Sequence, residues 1–285
     1  VLLVLVLLIG IRVYGAYRWL SLFGLRVQPS EFAKVALLIT LARFLSQPGR
    51  HVRSRGTLLQ AALIVGLPFA LIAREPDLGT AAVLLPVALV LLFAAGLPMR
   101  TLLLLAGLGL LLLPVGWFAL GDYQKERLLI FFDPGRDPLG AGWNKIQSEI
   151  AVGSGGLAGK GFLKGTQNVL GFLPRTVAPT DFVFSVIAEE TGFLGSAGLL
   201  GLFMLVLWRC AQAALLARDL FGRLLVLGVM TLLFGHVFVN IAMTVGLMPI
   251  TGLPLPLISY GGSFMVSTMM SLGLVQSVYV RRYRH

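Results

Sequence analysis

Apolar residues run along this chain in long blocks that are apolar on every side, without the polar face a soluble surface helix needs. Eight blocks read as helices: Val1–Tyr14, Glu31–Ser46, Leu58–Ala73, Leu78–Ala95, Thr101–Leu120, Val183–Trp208, Leu224–Met248 and Ser263–Val280. At about 1.5 Å per residue, the block Thr101–Leu120 matches a hydrocarbon core of roughly 30 Å. Glu31–Ser46 and Leu58–Ala73 are shorter, so tilt or ragged ends are expected there. The fold class expected is all-α, a polytopic transmembrane bundle. The long segment Gly121–Phe182 reads as a large loop outside it.

Composition agrees with that pattern. Of 285 residues, 57% are hydrophobic and only 12% charged. That is about half the charged share of a soluble domain. The first block starts at residue 1 with no initiator Met, basic start or small-residue cleavage site. It is therefore expected to open an N-terminally incomplete fragment rather than to be a signal peptide. One cysteine, Cys210, leaves no internal disulfide and reads as a packing residue.

The net charge of +11 gains meaning from its placement. With the C-terminus inside, alternation puts Arg43, Arg50, Arg53, Arg55, Arg100, Arg209, Arg218, Arg223, Arg281, Arg282 and Arg284 on the inner side with one acid, Asp219. Short inner loops rich in Arg are what the positive-inside rule requires. Contact with anionic membrane lipid accounts for the excess charge, and no nucleic-acid partner is expected. The other eleven acids fall on the outer side, together with the Gly- and Pro-rich irregular segments. Chemistry is therefore expected outside the membrane.

Several polar groups there ask for a role. In Gln28-Pro29-Ser30-Glu31-Phe32-Ala33-Lys34, Ser30 is placed to cap a helix, and Glu31 and Lys34 share one face. That pair reads equally as a structural anchor or as part of a polar site. In Arg74-Glu75-Pro76-Asp77-Leu78-Gly79-Thr80, Pro76 breaks the helix and Asp77 or Glu75 can cap the next one. Thr180 is placed to cap the span that follows, which puts Asp181 in its first turn. Asp181 can be an ordinary capping acid, a general base toward a sugar hydroxyl, or a cation ligand. Glu189 and Glu190 lie in an apolar segment, where an acid is a functional candidate.

The stretch Gly153-Ser154-Gly155-Gly156, Gly159-Lys160-Gly161 and Lys164-Gly165-Thr166-Gln167 is basic and glycine-rich. Its N–H groups and lysines suit phosphate, but the Walker A spacing is absent. The segment Leu253–Ser263 begins with Pro254 and Pro256 and ends in Ser259-Tyr260-Gly261-Gly262-Ser263, as a broken helix facing a cavity would. His236 and Asn240 share a helix face and read as an interhelical hydrogen-bond pair rather than a metal or proton site.

At these residues the sequence resembles the SEDS family of bacterial glycosyltransferases, the shape, elongation, division and sporulation proteins. The matching pieces are RWL (18–20), QPSEFAK (28–34), EPDLGTA (75–81), QSEIAVGSGGLAGKGFLKGTQ (147–167), TDFVFSVIAEETGFLG (180–195) and PLPLISYGGS (254–263). PDLGT and GKGFLKGTQ look more like the elongation branch than the division branch.

The resemblance implies ten spans in the full-length protein and polymerisation of lipid II into glycan strands. It also implies a class B penicillin-binding protein as transpeptidase partner. The leaving group carries several negative charges, so a divalent cation, Mg or Mn, or basic residues such as Lys34, Arg18, Lys160 and Lys164 are expected to stabilise it. The family's catalytic aspartate falls on Asp181. Its Glu–Lys pair falls on Glu31 and Lys34. Arg18, Trp19, Gln28, Ser30, Asp77, Lys160, Lys164, Thr180, Glu189, Ser259, Tyr260, Gly261, Gly262 and Ser263 are the expected substrate-binding or supporting residues, and Asp181 is also a possible metal ligand. One departure is present: the family's LPE-x-HTDF is replaced by Leu173-Pro174-Arg175-Thr176-Val177-Ala178-Pro179-Thr180-Asp181-Phe182, without the Glu and His.

Two other readings fit the same features. A lipid flippase or transporter would also carry intramembrane acids, but it should place them at mid-membrane with access from both sides. A scaffold for a synthase complex leaves Asp181 without a purpose.

Overall fold

The first helix closes at Gly10, whose N–H donates to the Val6 carbonyl at 2.9 Å and where a Cβ would stand 2.3 Å from that oxygen. The structure, a computed structural model, describes residues 2–13, 16–22, 25–174 and 176–282. Helix α1 accordingly runs only Leu2–Ile9, not to position 14. Beyond it, residues rich in β-branched and aromatic types form three short antiparallel strands: β1 (Ile11–Val13), β2 (Ala16–Leu22) and β3 (Leu25–Val27). Trp19 pairs with Ile11, and Leu20 with Val27. The expected all-α class is thus corrected to a predominantly helical fold with a small sheet.

The remaining long helices fall close to the apolar blocks: α2 (Pro29–Leu45), α3 (Arg55–Arg74), α4 (Leu78–Ala94) and α5 (Met99–Ala119). The loop expected after α5 contains three helices, α6 (Asp122–Phe132), α7 (Ala141–Ser154) and the single turn α8 (Thr166–Val169). Then come α9 (Val183–Leu215), α10 (Leu220–Thr244) and α11 (Gly262–Arg281). Among the described residues, five helices are long and apolar enough to cross a membrane: α3, α5, α9, α10 and α11. Helix α5 exposes Leu103, Leu104, Leu110, Leu111 and Leu113. Such a surface is stable only against lipid or another apolar partner.

The chain divides into two compact units. The first comprises residues 1–121, 208–233 and 262–285, and the second 122–207 and 234–261. In the first, Leu38, Leu41, Leu45, Leu84, Leu91 and Val229 are buried. Gly228 of α10 permits this packing, since a Cβ there would meet the Leu38 side chain at 2.6 Å. In the second unit, Phe184, Ala188, Phe203, Val237 and Leu255 form one core cluster. Leu173, Ala178, Phe182, Met243 and Ile250 form another.

Candidate functional site

Asp181 does not lie in the first turn of α9. It occupies a turn preceding that helix, which begins at Val183, and its N–H donates to the Val177 carbonyl at 3.0 Å. Thr180 is likewise no cap; its hydroxyl donates to the same carbonyl at 3.1 Å. The turn is then fastened through three successive carbonyls. Pro179 O accepts from Tyr260 N at 2.9 Å, Thr180 O from the Ser259 hydroxyl at 2.5 Å, and Asp181 O from Asn240 Nδ2 at 2.9 Å. Asn240 Nδ2 also donates to Leu253 O at 2.7 Å, and Ser259 Oγ accepts from Leu255 N at 2.8 Å. The segments 177–182 and 253–260 therefore hold each other with the backbone of Asp181 at the centre. The backbone that carries the Asp181 side chain is thereby fixed in place.

His236 and Asn240 both hydrogen-bond away from their own helix, as expected, but to loop carbonyls rather than to another helix. His236 Nδ1 lies 3.2 Å from Pro254 O, while Asn240 holds the carbonyls of Asp181 and Leu253. Buried irregular backbone must find donors, and these two side chains supply them. Tyr260 is exposed, Gly261 is half-buried and Arg175 lies outside the described residues.

The glycine-rich stretch has a structural task that its composition disguised. Helix α9 is broken at Gly192, which has φ 67° and ψ −161°. Around the break, Lys160 N and Gly161 N donate to the carbonyls of Glu189 and Glu190, at 3.0 and 2.9 Å. In return Phe193 N and Leu194 N donate to Gly156 O and Leu157 O, at 2.8 and 3.0 Å. Those N–H groups are committed to the helix and not to an anion. Lys160 Nζ meets the fully buried Glu189 carboxylate at 2.6 Å, and Glu189 also accepts from Thr166 Oγ1 (2.9 Å) and Gln167 N (3.2 Å). Lys164 is exposed.

The remaining expected residues gather in the first unit. Helix α2 starts two residues earlier than a Ser30 cap requires, with Pro29 at its first position and Gln28 as N-cap. Gln28 Nε2 donates to Asp77 Oδ2 at 3.3 Å, and Gln28 N to Ser263 Oγ at 3.0 Å. Asp77 caps α4 by accepting from Thr80 N (3.2 Å) and Thr80 Oγ1 (2.9 Å). Arg18 Nε donates to Glu75 O at 3.1 Å and its Nη2 to Pro76 O. Trp19 is half-buried beside it in β2, and Gly262 begins α11.

Glu31 and Lys34 are both buried and 2.9 Å apart. Ser267 Oγ donates to Glu31 Oε2 at 3.0 Å, and the Phe264 ring centre lies 5.4 Å from Lys34 Nζ. Ser30 is buried with no hydrogen bond from its hydroxyl among the described residues. Glu75 is fully buried, and neither carboxylate oxygen has a hydrogen-bond partner among the described residues. Burial pushes its pKa up to about 8; the charge of Asp77 adds to the rise and that of Arg18 opposes it.

The fold and these clusters define a polytopic membrane protein whose polar chemistry sits on loops pinned to helix ends. The family model of the cell cycle proteins FtsW, RodA and SpoVE matches residues 1–284, and the chain belongs to that family. It is 44% identical over 269 residues to the peptidoglycan glycosyltransferase MrdB of Escherichia coli K12, covering 94% of this chain and 72% of that protein. A chain of a peptidoglycan synthase complex, described for its coordination of polymerization and crosslinking, superposes with a TM-score of 0.83 at 41% identity, over 100% of this chain and 79% of that one. The rod shape determining protein RodA of Thermus thermophilus superposes with a TM-score of 0.69 at 38% identity, covering 100% and 76%.

Sequence reasoning missed Arg127 on α6. Its Nη1 donates to Ile250 O at 3.2 Å and, like Asp181 Oδ2, it borders Gly252. Its only signal in the sequence was a cation in a segment read as loop.

Proposed function

We propose that this protein is a peptidoglycan glycosyltransferase that polymerises lipid II into glycan strands on the outer face of the bacterial cytoplasmic membrane during cell elongation, beside a class B penicillin-binding protein. The observation that carries the reading is the anchoring of Asp181 through the carbonyls of residues 179, 180 and 181. The family membership and the 44% identity to a peptidoglycan glycosyltransferase support the substrate class.

In this reading the Asp181 carboxylate accepts the proton of the 4-hydroxyl on the GlcNAc of one lipid II molecule. That oxygen attacks the anomeric carbon of the terminal MurNAc of the other chain, on the face opposite the diphosphate. The new C–O bond forms with inversion as the bond to diphosphate breaks, and undecaprenyl diphosphate departs with the electron pair. The proton on Asp181 passes to solvent before the next turnover. A fixed base within hydrogen-bond reach typically supplies about 10²–10⁴-fold in rate.

Among the described residues no group of three His, Cys, Asp or Glu side chains is gathered to hold a metal. A hard divalent cation commonly sits on one or two carboxylates completed by substrate phosphates, so Asp181 fits as its protein ligand. Such an ion would neutralise charge on the diphosphate.

The test is glycan-strand formation from purified lipid II by the full-length protein with its partner. Asp181→Ala and Asp181→Asn, folded normally, should lose about 10²–10⁴-fold in polymerisation. Polymer at the native rate from either variant would remove Asp181 from the mechanism.

A further inference from the structure

Gly252 marks a gap that a side chain would close. Its φ of +74° belongs to the left-handed region, and a Cβ on it would stand 3.3 Å from Asp181 Oδ2 and 3.5 Å from Arg127 Nη1. One carboxylate oxygen of Asp181 and one guanidinium nitrogen of Arg127 thus border the same point beside Gly252, near enough to act on one bound group.

Arg127 is held for such a position. Its Nη1 is fixed by the Ile250 carbonyl at 3.2 Å, and its guanidinium carbon lies 4.7 Å from the centre of the Tyr123 ring. A guanidinium carries five N–H donors. Ile250 takes one, and among the described residues no carboxylate forms an ion pair with Arg127. Two nearby lysines of this unit are committed: Lys160 to Glu189, and Lys145 to Phe131 O at 3.0 Å and Glu149 at 3.5 Å.

In an inverting displacement the entering hydroxyl and the departing oxygen lie on opposite sides of one carbon. The base and the group that receives the leaving charge must then flank a gap about as wide as that carbon with its two oxygens. Both the carboxylate and the diphosphate are anionic, so bringing them to one carbon requires a cation between or beside them. Arginine suits this because its planar fork can hold two phosphate oxygens at once.

We propose that Arg127 is a catalytic residue that grips the diphosphate of the polyprenyl-linked donor across Gly252 from Asp181. The inference rests on the glycosyltransferase reading above. During transfer the anomeric C–O bond breaks toward the diphosphate, whose added negative charge falls on the Arg127 donors, while the hydroxyl proton goes to Asp181.

The test uses the full-length protein with its partner and two probes, undecaprenyl diphosphate and undecaprenyl monophosphate. Binding is read from the rise each gives in thermal midpoint, and inhibition from polymerisation of lipid II. Arg127→Gln should weaken diphosphate binding about tenfold or more while changing monophosphate binding little, and Arg127→Lys, which keeps the charge without the fork, should fall between the two. The unliganded midpoint shows that each variant is folded, and the lysine variant keeps the test open if glutamine destabilises the loop. Native diphosphate binding by Arg127→Gln would overturn the proposal. So would a shifted acid limb of the pH–rate profile with unchanged binding, since Arg127 would then only position Asp181. Arg127-dependent diphosphate binding by a native protein that makes no polymer would uphold the proposal and sink the polymerase reading.

Discussion

Lys160 Nζ lies 2.6 Å from Glu189 Oε1, and the same two residues are also joined through the backbone, Lys160 N donating to Glu189 O at 3.0 Å. The charge pair and the backbone hydrogen bond together fasten the glycine-rich stretch to the broken end of α9. Glu189→Gln should cost ~1–3 kcal/mol, short of a fully buried pair because Lys160 retains contact with solvent. Hydrogen exchange should quicken at the amides of Lys160, Gly161 and Gln167 while the amides of α10 stay protected. Unchanged exchange at all three would show that the glycine backbone docks without the pair.

Gly192 has a backbone conformation open in practice only to glycine, and its missing Cβ leaves room for Gly159 N, which would stand 2.3 Å from it. Gly192→Ala should therefore lower stability by about 2–3 kcal/mol or more. Gly198→Ala, two turns farther along α9, meets nothing within 4 Å and should be neutral or slightly stabilising. Thermal midpoints of the two variants in detergent decide the matter, and equal midpoints would contradict the account of the break.

These glycines also show where sequence reading stops. The blocks at Leu78–Ala94 and Gly262–Arg281 were legible to within a residue or two at each end, because a helix that is apolar on nearly every side is written in every one of its positions. The candidate base was legible as Asp181, through its resemblance to a family motif. Its surroundings were not. Asn240 holds Asp181 O across 59 residues, and Ser259 holds Thr180 O across 79. Such long-range donors leave no local spacing to read. The strands after Gly10 were hidden by the apolar run around them, and the basic look of 153–167 concealed backbone bonding to α9.

Glu75 makes stability depend on pH. Its folded pKa of about 8 lies above the ordinary value of 4.5, so the folded state holds a proton that the unfolded chain releases. Stability should be greatest at or below pH 4.5 as far as this group is concerned, and fall as pH rises toward 8, by at most ~1.4 kcal/mol per pH unit. Glu75→Gln keeps the shape without the proton and should flatten that slope. Thermal midpoints at pH 5, 6, 7 and 8 give the answer; parallel curves for the two proteins would show that Glu75 does not titrate in this window.

Glu31 and Lys34, 2.9 Å apart and buried together, separate a structural role from a chemical one. Removing one partner strands the other charge, so Lys34→Met should lose about 3–5 kcal/mol. The Ser267 hydroxyl on Glu31 Oε2 cannot replace an ammonium ion, and Phe264 offers only its ring face to the lysine. Replacing both as Glu31→Gln with Lys34→Met removes the stranded charge and should restore most of the loss, because a neutral buried pair avoids the desolvation penalty. Lipid II polymerisation by the double variant then isolates chemistry from folding. Native activity in the stable double variant would make the pair an anchor for α2, whereas a stable but inactive protein would assign one of the two charges to substrate.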